Sequence, residues 1–74
     1  MELNALGLKC PMPIVRLGQT IKQAKVGEQI TVVADDGPFP SDLRAWCKMT
    51  GHMLVSLDES DPKRYVAVIK KEKP

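Results

Sequence analysis

Ile14, Leu17, Ile21 and Ala24 recur at helical spacing, and two prolines, Pro11 and Pro13, stand immediately ahead of them. Proline breaks helix interiors but suits a first turn, so this stripe predicts a helix over 11–25 whose start is fixed by its own sequence. Arg16, Gln19, Lys22 and Gln23 fill the wet face of that helix. Gly18 in its middle costs about 1 kcal/mol against alanine, which points to close approach of the helix to a sheet. A second stripe, Phe39, Leu43, Trp46, Cys47 and Thr50, predicts another helix, stopped by Gly51. Pro38, Pro40 and Ser41 all suit its first turn or cap, so the stripe leaves its start open.

Each helix has one apolar face, and the segments around them supply the surface to cover it. Leu3 and Ala5 alternate with polar neighbours in a short strand over 1–6. The run 28–34 is rich in β-branched residues and reads as a strand with a buried face. Two further strands follow at 53–57 and 65–70, joined by a loop over 59–63. The order β-α-β-α-β-β predicts an α/β two-layer sandwich, with two helices on one face of a four-stranded sheet. Strand order does not follow from the pattern.

At 74 residues the chain is a single domain, 1–74, which buries only roughly 60–65% of its unfolded surface. Small secreted domains offset this with disulfides, but two cysteines far apart in sequence allow one bridge at most. No signal peptide precedes the first strand, and a reducing, cytoplasmic setting is expected. No apolar run approaches the roughly 20 residues that cross a bilayer. Eleven Lys and Arg against nine Asp and Glu give a net charge of +2, too balanced to indicate nucleic-acid binding. One Trp, one Tyr and one Phe do not make a base-stacking platform either. The tail 70–74, with three lysines, is expected to fray into solvent.

Cys10 stands directly before Pro11, where the backbone is pushed toward the extended conformation of an N-cap. Pro11 then takes the first helical position. Cysteine is not a favoured cap, so stability alone does not explain it. A helix N-terminus favours a thiolate, the Met12 amide is placed to donate to it, and Lys9 and Arg16 add positive potential if they turn that way. Acyl transfer needs a base, and His52, the only histidine, has no evident route to Cys10. Nor is there a C-x-x-C pair. A nucleophile with neither base nor resolving thiol suits group carriage, in which sulfur is taken from one thiol and given to another. A buried small hydrophobe is the bland alternative, and position alone leaves both open.

The stretch Gly7-Leu8-Lys9-Cys10-Pro11-Met12-Pro13 resembles the Cys-Pro-x-Pro signature of TusA/SirA-like sulfur carriers. Asp35-Asp36 and the block from Trp46 to His52 are similar to later blocks of that family. The resemblance implies a mixed four-stranded sheet and a persulfide carried on Cys10, with Lys9, Pro11, Met12, Pro13 and Arg16 in support. It implies a cysteine desulfurase or rhodanese as donor. The acceptor would be a relay protein leading to tRNA thio-modification, molybdenum cofactor or sulfur metabolism. No cofactor and no metal are implied.

The remaining candidates read more plainly. Cys47 belongs to the apolar stripe and is expected in the core, too far from Cys10 for the Cα separation of about 7 Å that a disulfide allows. His52 with Asp35 and Asp36 lacks the short spacing of a metal site and is expected at the start of the third strand. Asp35-Asp36-Gly37 reads as a turn and a helix-start acidic pair. Met12, exposed between prolines, suits either partner contact or packing, and Met49 reads as plain helix surface. Two rivals to the carrier remain: a non-catalytic regulatory module binding RNA or protein, and a redox regulator in which Cys10 forms mixed disulfides. The carrier is expected to be a monomer that docks transiently and shows little activity without partners.

Overall fold

The computed structural model describes residues 1–73. Its elements are β1 (Glu2–Ala5), α1 (Met12–Ile21), β2 (Gln29–Ala34), α2 (Phe39–Thr50), β3 (Met53–Asp61) and β4 (Arg64–Lys70). The sheet order is β1-β2-β4-β3, with β1 parallel to β2 and the other two pairings antiparallel. The predicted two-layer α/β sandwich and its mixed sheet are therefore present.

Strand alternation selects the buried face. Ile30, Val32 and Ala34 of β2 are buried while Thr31 and Val33 between them are half-exposed. On β4 the register sets Ile69 opposite Ile30 and Ala67 opposite Val32, so both core rows meet. Leu17 and Ile21 of α1, with Phe39, Leu43 and Cys47 of α2, close the same core. Each fully buried large apolar side chain contributes about 1.5–3 kcal/mol. β3 keeps its place by a bulge. Leu54 and Leu57 lie three positions apart yet both pack on the core, because the register shifts between Leu54 and Ser56.

Four expectations need correction. First, α1 starts at Met12 and ends at Ile21, with Pro11 as its cap, because residues 22–24 tighten into turns whose amides reach back three residues to Thr20 and Ile21. Second, β3 runs on to Asp61, so the predicted loop shrinks to Pro62-Lys63. Third, a Cβ built on Gly18 meets nothing within 4 Å, so this glycine does not serve close approach to the sheet. Fourth, the lysine-rich end is tied down rather than frayed. The Lys71 amide donates to Glu28 O at 2.9 Å and its side chain is buried, while Lys73 lies over Gly51. Pro74 of that tail lies outside the described residues.

Gly51 ends α2 as expected, in the left-handed conformation with φ 81° and its amide bonded to Cys47 O. Among the described residues no helix is long and apolar enough to cross a membrane.

Because Gly18 faces open space with helical backbone, Gly18→Ala should raise stability by about 0.5–1 kcal/mol. Urea denaturation reads this directly, and a loss of stability would show a steric constraint that the structure lacks.

Candidate functional site

Parallel pairing of β1 with β2 brings the loops that leave both strands to one edge of the sheet. Cys10 lies in the first of these loops and Asp35-Asp36 in the second. The two loops are laced together. Gly7 N donates to Asp35 Oδ1 at 3.0 Å, and Cys10 N donates to Asp36 Oδ2 at 2.9 Å. Asp36 is buried, and its carbonyl also accepts from Phe39 N at the start of α2. The acidic pair is thus more than the turn-former the sequence suggested: it grips the backbone around the thiol.

Cys10 is exposed, one residue ahead of the helix cap rather than on it. The peptide bond to Pro11 is cis. Pro11 occupies the cap and Pro13 is buried in the first turn. The Met12 amide, expected to face the sulfur, donates instead to Lys9 O at 2.8 Å. The sulfur has a different partner. Cys10 Sγ donates to Asp42 Oδ2 at 3.0 Å, across 32 residues of sequence. Asp42 lies in the first turn of α2, where a carboxylate suits the positive end of the helix.

This contact reverses the expected electrostatics. A helix N-terminus carries roughly half a positive charge, which favours the thiolate. A full negative charge in hydrogen-bond contact with the S–H opposes it more strongly. The Cys10 thiol is accordingly raised above its ordinary pKa, first by its hydrogen bond to Asp42, then by loss of hydration and the charges of Asp42 and Asp36. Lys9 and Arg16 are both exposed, and neither is among the groups that act on the thiol.

Beside Cys10 runs an open groove of about 260 Å³ between the helices, lined by Ile14, Ala45, Trp46 and Met49 as well as Pro11 and Asp42. Met49, read from sequence as plain surface, is part of this wall and 81% exposed. Met12 is exposed but does not line it.

The second cysteine behaves as the stripe predicts. Cys47 is buried and free, and burial pushes its thiol up to about 11. His52 stands just before β3, not in it. Its Nδ1 accepts from Glu72 N at 3.2 Å and its ring packs against Trp46, tilted by 33°, with centroids 5.5 Å apart. Burial, with Lys71 close by, lowers its pKa, which favours the neutral ring. Among the described residues no three His, Cys, Asp or Glu side chains converge to hold a metal ion.

Nothing in the sequence singles out Asp42. One acidic residue in a predicted first turn carries little signal, and only the parallel β1–β2 arrangement brings it beside Cys10.

A family model described as Sulfurtransferase TusA matches residues 1–71. Two proteins of Neisseria meningitidis, from serogroups A and B and each named "putative sulfur carrier protein", are 44% identical over 59 residues, covering 80% of this chain and 80% of each relative. An Aquifex aeolicus protein of the same description is 33% identical over 69 residues, 93% of this chain but 34% of that longer protein. The crystal structure of a SirA-like protein from Desulfitobacterium hafniense superposes with a TM-score of 0.80 at 23% identity, over 99% of this chain and 100% of that one, which shows the shared fold.

Two measurements follow from this geometry. In the native protein iodoacetamide should modify Cys10 well before Cys47, and equal rates would contradict the burial of Cys47. Asp42→Asn should move the midpoint of the Cys10 alkylation profile to lower pH, since the thiolate then forms without that carboxylate beside it. A midpoint that stays put or rises would mean that the contact does not control the thiol.

Proposed function

This chain belongs to the TusA sulfurtransferase family, whose members are sulfur carriers, and from that membership we propose that Cys10 carries sulfane sulfur as a persulfide between two partner proteins. The observation that carries the reading is an exposed thiol with a proton acceptor in contact, at the rim of an open apolar groove.

The transfer balances without any redox agent. The Cys10 sulfur attacks the terminal sulfur of a persulfide on the donor. The donor's S–S bond breaks as the new bond to Cys10 Sγ forms, and the Cys10 proton passes by way of Asp42 to the departing donor thiolate. The products are a Cys10 persulfide and a donor thiol. Discharge repeats the step with an acceptor thiol as nucleophile and Cys10 as the leaving group.

Asp42 acts differently on the two forms. The empty thiol donates to its carboxylate. A loaded Cys10 has no proton on Sγ to donate, and its ionised terminal sulfur is repelled by the carboxylates of Asp42 and Asp36. The site therefore binds the empty state and pushes the loaded sulfur outward, which suits a carrier that must give up its cargo. Pro11 and Pro13 fix the chain around the thiol, the exposed Lys9, Met12 and Arg16 face the docking protein, and Met49 and Trp46 offer it an apolar wall.

A cysteine desulfurase or a rhodanese fits as donor. The acceptor would be a relay protein serving tRNA thio-modification, molybdenum-cofactor synthesis or sulfur metabolism. A reducing cytoplasm keeps both thiols free, and the chain works there as a monomer that docks transiently.

Incubation with a cysteine desulfurase and cysteine should add the mass of one sulfur to Cys10, removable by dithiothreitol. Cys10→Ser should abolish the adduct with the circular dichroism spectrum unchanged; sulfur retained in that variant would refute the assignment. Asp42→Asn should raise the loaded fraction at equilibrium with a small-molecule persulfide several-fold and slow discharge to an acceptor thiol. A lower loaded fraction would remove Asp42 from the proposed discharge role.

A further inference from the structure

Lys71 is the charged residue whose burial the carrier chemistry does not explain. It is 7% exposed, and its Nζ donates to Ala24 O at 2.7 Å. An ammonium has three N–H donors, and a neutral carbonyl satisfies one of them. Buried charges are ordinarily paired, because desolvation costs several kcal/mol that a lone neutral acceptor does not offset. Among the described residues the single salt bridge joins Arg44 and Glu59, and none is made by Lys71.

Lys71 lines a cavity of about 320 Å³ between the C-terminal halves of α1 and α2. That volume lies at the lower end of the ~300–1,000 Å³ typical of small-molecule sites. The charged side chains that line it are both basic, Thr50 and His52 add neutral hydrogen-bonding groups, and Glu72 lies close enough to act on His52 without lining the cavity. Lys22 and Lys71 are cationic, and His52, whose Nδ1 accepts from Glu72 N, carries its proton on Nε2 as a donor. No Asp or Glu lines the cavity. Ile21 and the Trp46 ring supply an apolar wall, and the exposed side of Gly18 leaves room beside them.

We propose that this cavity binds a small organic carboxylate with a flat apolar body, its carboxylate on Lys71 and its body against Trp46. Lys22 and His52 close around the anion. Trp46 also forms part of the groove beside Cys10, so an occupant here would touch the same side chain that a docking protein meets.

Trp46 is the only tryptophan, so its fluorescence reports the site without a label. Phenylacetate serves as the probe and its neutral amide, phenylacetamide, as the control. Phenylacetate should change the emission saturably, with backbone amide shifts centred on Gly18, Ile21, Thr50 and His52. Phenylacetamide should bind about tenfold more weakly or worse, the loss expected for one charge-assisted contact. Lys71→Met, which keeps the buried stem and removes the charge, should weaken phenylacetate to a similar degree. Absence of saturation, equal binding of acid and amide, or shifts centred elsewhere would each overturn the proposal. The acid and amide comparison needs no variant, so it stands even if Lys71→Met fails to fold. Sulfur and Cys10 take no part in the measurement, so its failure is separate from any failure of the carrier reading.

Discussion

The hydrogen bond from Cys10 N to the buried carboxylate of Asp36 is the contact on which the site is built. It joins the loop after β1 to the loop after β2, and Asp35 repeats the link at Gly7. These links are possible because β1 and β2 are parallel neighbours, so their outgoing loops leave the sheet at one edge. Ligand sites in open α/β sheets commonly lie at that edge for the same reason. Once the two loops are fixed to each other, the first turns of α1 and α2 are neighbours, and Cys10 faces Asp42.

The chemistry of the thiol then depends on which field is nearer. The partial charge of a helix end is spread over several amides. The Asp42 carboxylate is a full charge in direct contact with the S–H, and it dominates. Among reactive cysteines this is the opposite of the low-pKa pattern that a helix N-terminus produces alone. A raised thiol is a poor reagent in isolation, so on the proposed reading a docking partner has to engage the groove before sulfur moves.

The helix layer has a polar device at each end. At the N-terminal end, carboxylates surround Cys10. At the C-terminal end, Lys22, Lys71 and Lys73 gather where helix carbonyls carry partial negative charge. Trp46 lies between them, walling the groove on one side and the cavity on the other. The charge balance of the whole chain hides this separation, since eleven basic and nine acidic residues nearly cancel in number.

The sequence by itself determined the elements and their buried faces. Helical spacing from Ile14 and from Phe39, alternation from Gln29, and stops at Gly51 and the prolines are all local, and local sterics and side-chain period enforce them. The signature at Cys10 was legible for the same reason, being contiguous. Tertiary structure decided the rest. It set β4 between β2 and β3, moved the helix cap from Cys10 to Pro11, and turned the Met12 amide to Lys9. It also paired Cys10 with Asp42 and Lys71 with Ala24, contacts that span 32 and 47 residues. Such pairs have no period in the chain. They exist because strand order chooses which loops and helix ends become neighbours, and that order is selected by the packing of the whole core.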